Sequence, residues 1–356
     1  MMKRIVRYEE KIKLGKSTTI IAASKLLTQM FLVVVVLLGS VFTYGNDAED
    51  EKSKEMNYLM ETYTYKIVDD LEIKADVYRY PGDDIRPVIM WIHGGALIMG
   101  SRAGLPPAEQ FEAYLKAGYV LVSIDYRLAP ETKLKAIVED VEDAYAWIRA
   151  DGPELFNINP DKIAVIGASA GGYLTLTSGF RLNSRPRALV SLYGYGDVTG
   201  PWYSQPYEFY RDTHPIVSKK AALSHVSGTP ISNTNGLDID EQKGRADFYL
   251  YCRQHGLWPD LVSGYDLSKE PEKFRDYEAR VNITADYPPT MLLHGEKDTD
   301  VIFEQSVLMA KELKRNNVDH EFVTNPDWGH GFDYDEKDPT VQDAHKQILK
   351  FLEKHL

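Results

Sequence analysis

Ser169 lies among small residues in the run Gly167-Ala168-Ser169-Ala170-Gly171. A serine hydroxyl is a poor nucleophile at neutral pH, so a reactive serine needs a base to take its proton and a carboxylate to orient that base. The run follows the apolar stretch Lys162-Ile163-Ala164-Val165-Ile166 and precedes a helical pattern. Strand, sharp turn and helix in that order lift a serine above a sheet edge, and small neighbours leave room for the turn. The helix that starts there aims its first amide N–H groups and the positive end of its dipole at any anion forming on the serine. Such a residue would support acyl transfer. Stripped of its surroundings, the same run is a glycine-rich turn with an exposed serine.

The partners follow from chain order, since a serine in this setting is followed first by the acid and then by the histidine. After a strand-like run comes Gly295-Glu296-Lys297-Asp298, and after the next comes Gly329-His330-Gly331. Asp298 is the expected acid, with Glu296 and Asp300 as rivals, because the turn at Gly295 carries Asp298 further into its loop. His330, between two glycines, has no apolar face to pack on and is the expected base. His214, His225, His255, His294 and His320 are expected to be structural. Acyl transfer also needs donors for the tetrahedral oxyanion. Gly94 and Gly95, in His93-Gly94-Gly95-Ala96, lack side chains that would keep a substrate from their N–H groups, and the Ala170 N–H would be the third donor. His93 and Ala96 are expected to support that loop.

The elements needed to hold these residues can be read from periodicity. Strand-like runs fall at 63–67, 76–80, 88–92, 120–124, 163–166, 188–193, 291–294 and 320–324, with helical patterns at 107–117, 137–149, 170–181, 303–316 and 340–355. Alternation of this kind predicts an α/β class with a mostly parallel sheet and helices on both faces. The middle runs are almost wholly apolar, as strands covered on both sides must be. Residues 196–287 break the rhythm and predict a cap insertion over the crevice at the strand ends, with one good helix at about 240–255. Its aromatic-rich stretch, 193–210, would either line a pocket for an acyl chain or sugar or form the insertion's own core.

With 356 residues, 44% of them hydrophobic, the chain can bury one large core. A net charge of −12 without a basic face argues against a nucleic-acid partner. Cys252 is the sole cysteine, which excludes an intramolecular disulfide and a cysteine-based zinc site. No metal or organic cofactor is implied, because side chains and amides suffice for the chemistry. Lys3, Arg4, Arg7, Lys11, Lys13 and Lys16 precede an apolar run at 26–41, and acidic residues follow. Residues 1–45 are therefore expected to be a signal peptide or a membrane anchor, residues 46–61 a linker, and residues 62–356 the folded body of an exported, periplasmic or extracytoplasmic protein.

His93-Gly94-Gly95-Ala96, Asp125-Tyr126-Arg127-Leu128-Ala129-Pro130-Glu131, the Ser169 run, the Asp298 loop and His330-Gly331-Phe332 together resemble the hormone-sensitive-lipase-type branch of bacterial carboxylesterases. The similarity covers residues 85–195 and 288–335. It implies an α/β-hydrolase fold and cleavage of carboxylic esters of short to medium acyl chains, with the cap shaping the pocket. Ala96 stands where that branch usually carries a third glycine, and the insertion matches none of its motifs. Three other functions compete: a serine peptidase of the prolyl-oligopeptidase kind, a carbohydrate-ester deacetylase, and a non-catalytic binding protein on the same scaffold. Retention of all the reactive residues argues against the last.

Overall fold

In the strand Arg86–Ile92 successive residues face opposite sides of a sheet: Val88, Met90 and Ile92 join one buried cluster, Ile89 and Trp91 another. That double burial organises the computed structural model, which describes residues 58–226 and 228–356. Eight strands, β1 (Leu59–Val68), β2 (Leu71–Arg79), β3 (Arg86–Ile92), β4 (Val120–Ile124), β5 (Ile158–Ala168), β6 (Ala188–Leu192), β7 (Thr290–Gly295) and β8 (His320–Asn325), form one sheet in the order β1-β2-β4-β3-β5-β6-β7-β8. β1 and β2 are antiparallel, as are β2 and β4; all later pairs are parallel. The expected α/β-hydrolase architecture is thus present.

Helices α1 (Ala108–Lys116) and α12 (Pro339–His355) cover the Trp91 face of the sheet. On the other face lie α2 (Leu134–Ala150), the short α3 (Gly152–Phe156), α4 (Ala170–Arg181) and α11 (Glu304–Arg315). The longer surface helices α1, α2, α11 and α12 carry the apolar stripe that their periodicity predicts, whereas α4 is buried at all but its last two positions. The folded body starts earlier than expected. β1 begins at Leu59, within the segment read as linker, because Tyr58 and Met60 pack on the second cluster and Met60 pairs with Tyr78. The run at 63–67 falls inside this edge strand, and the charge of the preceding residues obscures only its first residues. The segment read as signal or anchor, 1–45, lies outside the described residues, and among the described residues no helix is long and apolar enough to cross a membrane.

Between β6 and β7 the insertion forms α5 (Pro201–Ser204), α6 (Glu208–Thr213), α7 (Lys219–Ala222), α8 (Ile239–His255), α9 (Trp258–Ser263), a 3₁₀ turn (Pro271–Tyr277) and α10 (Ala279–Asn282). α8 starts at a capping box formed by Asp238 and Glu241 and stops at Gly256, whose φ of +67° suits a left-handed cap. Trp202 stacks on Tyr203 at 3.6 Å and Tyr203 on Trp258 at 4.4 Å, with Tyr195 edge-on to all three. All four rings are buried. Of the two roles weighed for the aromatic stretch, these rings take that of the insertion's own core.

Candidate active site

Every residue singled out for chemistry lies beyond the carboxyl end of a parallel strand, where open α/β sheets present their sites. Ser169 is the single residue between β5 and α4 and has φ +56°, ψ −117°, a conformation L residues rarely adopt. Close packing imposes it: a Cβ on Gly171 would lie 2.0 Å from the Ile92 carbonyl oxygen, and one on Gly167 would lie 2.4 Å from that of Gly171. The Ser169 N–H donates to the Leu192 carbonyl oxygen at 2.9 Å. Ala170 opens α4, so its N–H has no partner within the helix and is free to serve an oxyanion.

The loop after β3 comes up against this turn, with the Cβ position of Gly94 only 3.3 Å from the Ser169 Cβ. Gly95 has φ +99°, and its carbonyl oxygen accepts from the N–H groups of Ile98 and Met99, both at 2.9 Å. His93 does not face the serine chemistry. Its ring stacks on Tyr126 at 4.3 Å and its Nδ1 meets the Gly94 carbonyl oxygen at 2.8 Å, so that nitrogen carries the proton. Burial lowers its pKa to about 4, which leaves it a neutral prop. The Tyr126 hydroxyl donates to the carbonyl oxygens of His93 and Gly94.

Ala96 and Leu97 follow at φ +56° and +64°, and the Ala96 carbonyl oxygen accepts from the Trp258 indole of the insertion at 3.2 Å. Ala96→Gly would relieve left-handed strain of about 1 kcal/mol in the folded state and add a similar entropy to the unfolded chain. The melting temperature should therefore change little. If the Ala96 methyl narrows the site, the ratio of kcat/KM for branched over linear acyl p-nitrophenyl esters should rise; an unchanged ratio would remove that role.

β7 and β8 bring acid and base together. The N–H groups of Glu296 and Lys297 donate to the carbonyl oxygens of Asn325 and Trp328, so the two loops run side by side. A Cβ on Gly295 would lie 2.1 Å from the Trp328 carbonyl oxygen, which is why glycine stands there. His330 Nδ1 meets Asp298 Oδ2 at 2.7 Å, and its Nε2 meets Ser169 Oγ at 3.0 Å. Asp298 Oδ1 accepts from the N–H groups of Asp300 and Val301 at 2.8 and 2.9 Å. Of the rival acids, Glu296 is exposed, whereas Asp300 does reach His330, with Oδ2 3.4 Å from Nε2, the nitrogen opposite the one Asp298 holds. Burial opposes charging His330, but Asp298 and Asp300 outweigh it and raise its pKa to about 9. Burial likewise disfavours ionised Asp298, yet His330 and His294 hold its pKa well below the usual carboxylate range.

Several contributors were not anticipated. His294, read as structural, sends Nε2 to Asp298 Oδ2 at 3.2 Å and to the Val301 carbonyl oxygen at 3.0 Å, while Nδ1 meets Ser306 Oγ at 2.7 Å. With acceptors on one side and a hydroxyl on the other, its Nε2 carries the proton and Nδ1 accepts. Its spacing of four residues from Asp298 was the available signal. Tyr193 lies edge-on to the His330 ring at 4.7 Å and donates its hydroxyl to Asp333 at 2.7 Å. From α8, Arg245 reaches the Ile98 and Ala129 carbonyl oxygens and Glu131, tying the insertion to the loop after β3. Among the described residues no group of three His, Cys, Asp or Glu is arranged to hold a metal ion.

The chain is similar to several known proteins. A family described as BD-FAE matches residues 75–195, and the prolyl oligopeptidase family matches residues 241–356. A non-reducing polyketide synthase of Stereocaulon alpinum is 30% identical over 325 residues, which is 82% of this chain and 13% of that enzyme. One of Emericella nidulans is 29% identical over 88% of this chain and 14% of the enzyme. The chain thus spans about an eighth of the length of these relatives. Among solved structures, a Staphylococcus aureus protein of unknown function has a TM-score of 0.64 at 21% identity, covering 83% of this chain and 99% of that one. An acetyl ester-xyloside bifunctional hydrolase of Caldicellulosiruptor lactoaceticus has 0.58 at 18%, covering 83% and 96%. Propionate-bound Est2, an esterase of Thermogutta terrifontis, has 0.53 at 23%, covering 83% and 93%. The solved structures agree with the sheet order described above: the chain has the α/β-hydrolase fold.

Proposed function

We propose that the protein is a carboxylesterase of the hormone-sensitive-lipase type, acting on short to medium acyl chains through an acyl-enzyme at Ser169. The observation that carries this reading is the continuous path from Ser169 Oγ through both nitrogens of His330 to Asp298 Oδ2, over contacts of 3.0 and 2.7 Å. His330 Nε2 takes the Ser169 proton as Oγ attacks the ester carbonyl carbon, and Asp298 stabilises the resulting imidazolium. The oxyanion is received by N–H groups of Gly94, Gly95 and Ala170. Collapse expels the alcohol, which takes the proton from Nε2, and water then repeats the sequence to release the acid.

A peptidase reading is favoured by the prolyl oligopeptidase match across the acid and histidine loops. Hydrolysis of p-nitrophenyl acetate and butyrate, compared with aminoacyl p-nitroanilides, separates the two; faster anilide cleavage would overturn the esterase proposal. A carbohydrate-ester deacetylase is the narrower form that acetylated xylooligosaccharides would test. Export or membrane anchoring through residues 1–45 belongs to the same proposal, as do a small-molecule or carbohydrate ester as partner and the absence of a nucleic-acid partner.

The insertion is expected to limit acyl length, favouring acetyl to hexanoyl esters over chains of ten or more carbons. A pocket of fixed depth discriminates by about 1 to 3 kcal/mol per methylene it cannot hold. Because every residue of the described site lies between His93 and Asp333, a chain starting at Asn46 should be soluble and keep its kcat/KM. Rates on a C2 to C16 ester series check both expectations. A preference for C12 or longer removes the limit on acyl length, and an inactive shortened chain shows that the fold needs the segment.

A further inference from the structure

The carboxylate of Asp300 is divided in its loyalties. Its Oδ1 accepts from the Tyr210 hydroxyl at 2.7 Å, from the Tyr249 hydroxyl and from Arg253 Nη1 at 3.0 Å, and its backbone carbonyl oxygen accepts from Arg253 Nη2 at 2.9 Å. Its Oδ2 faces His330 Nε2 at 3.4 Å. Arg253 comes from α8, is fully buried, and sits among the rings of Trp202, Tyr203, Tyr207, Tyr210 and Tyr249 at 4.8 to 5.7 Å. A buried guanidinium held by five π faces and one carboxylate is a fixed positive charge in a region of low dielectric. It fixes Asp300 in place and cancels part of the charge that Asp300 turns toward the histidine.

We infer that Asp300 is a second carboxylate set on the reacting nitrogen of His330, and that the insertion, through Arg253 and Tyr249, holds it there and attenuates its effect. The insertion thereby governs how readily His330 takes the Ser169 proton. The inference rests on the reading of Ser169 and His330 as nucleophile and base. While Nε2 is an unprotonated acceptor, a carboxylate oxygen 3.4 Å away repels its lone pair. Once Nε2 is protonated, the same oxygen stabilises the imidazolium. Asp300 is therefore a positioning residue that favours the charged histidine, and Arg253 sets how strongly it does so. The other groups around His330 are Asp298 on Nδ1, with His294 behind it, the Tyr193 ring edge, and Asp333, three residues on and bonded to Tyr193. None of these touches Nε2, which leaves Asp300 as the charge that acts there.

The sign can be read from the rate at which a fluorophosphonate labels Ser169 across pH, a measurement that needs neutral His330 but no knowledge of the natural ester. Asp300→Asn removes the carboxylate charge that faces the imidazolium, so the acid limb should move down by about one to two pH units, giving at least tenfold faster labelling on the low-pH side. Tyr249→Phe keeps the ring but removes a donor to Asp300, leaving its charge less compensated, and the limb should move up. Asp300→Asn strands a buried arginine; if that variant does not fold, Arg253→Met/Asp300→Asn removes both charges and should still lower the limb. Glu296→Gln, an exposed charge in the same loop, controls for general electrostatics and should not move it. A limb unmoved or raised by Asp300→Asn, or moved the same way by Tyr249→Phe, overturns the role of Asp300, and one unmoved by Tyr249→Phe overturns the role of the insertion. If wild-type Ser169 is not labelled at any pH, it is the serine-hydrolase chemistry of this site that fails.

Discussion

Ser169→Ala and His330→Ala are each expected to lower kcat by roughly 10³-fold or more, with the double variant little worse than either single one. The non-additivity follows from the geometry. Ser169 Oγ and His330 Nε2 share one hydrogen bond of 3.0 Å, and neither does useful work without the other. An oxyanion pocket that still binds and polarises the ester accounts for the activity that remains. Alanine at 169 must keep φ near +56°, as serine does, so the melting temperature should hold and separate lost chemistry from lost fold. Retention of more than about a tenth of the wild-type rate by Ser169→Ala, in a preparation free of contaminating esterase, would contradict the assignment.

Ser169 could be found from sequence because its constraints are local. Glycines at 167 and 171 are demanded by carbonyl oxygens that a Cβ would strike, so the requirement is written beside the serine itself. The strands were legible for a related reason: two-sided burial demands apolar residues at consecutive positions, and 88–92 and 120–124 obey it. Asp298 and His330 were reachable through chain order, although their contact depends on the pairing of two loops that no local pattern encodes.

The insertion was legible as an interruption with one helix, which the structure places at Ile239–His255, but its buried charges were not legible at all. α8 buries Arg245, Arg253 and Gln254 on the face that periodicity would reserve for apolar side chains. Each is paired with a group distant in the chain: Arg245 with Glu131, Arg253 with Asp300, Gln254 with the carbonyl oxygens of Tyr210 and Pro215. A sequence pattern reports that a residue is polar; it cannot report that a partner 39 or more positions away will make it a core residue. The same limit made Asp300 look like a rival to Asp298, when the two carboxylates occupy opposite nitrogens of one imidazole.

Asp298→Asn is expected to cost on the order of 10⁴-fold in kcat, as the equivalent change does in a serine protease, whereas Glu296→Gln should be mild. The structure indicates why the loss should be this large. The N–H groups of Asp300 and Val301 both donate to Oδ1, so an asparagine must place its carbonyl oxygen there. Its amide –NH₂ then occupies the Oδ2 position and faces His330 Nδ1. An –NH₂ group can only donate, so Nδ1 must become the acceptor and the imidazole proton must move to Nε2. That nitrogen can then no longer accept from Ser169, and the base is disabled with its ring still in place. The same –NH₂ meets the proton on His294 Nε2, a donor facing a donor, so the variant should also lose some stability. His294→Gln combined with Asp298→Asn should recover part of that stability, since the glutamine amide can turn its oxygen toward the new –NH₂, but none of the activity, because the His330 tautomer is unchanged. Thermal melts and single-turnover acylation of the two variants check both halves. Recovery of acylation in the double variant, or a mild Asp298→Asn beside a severe Glu296→Gln, would mean that Asp298 does not set the tautomer of His330.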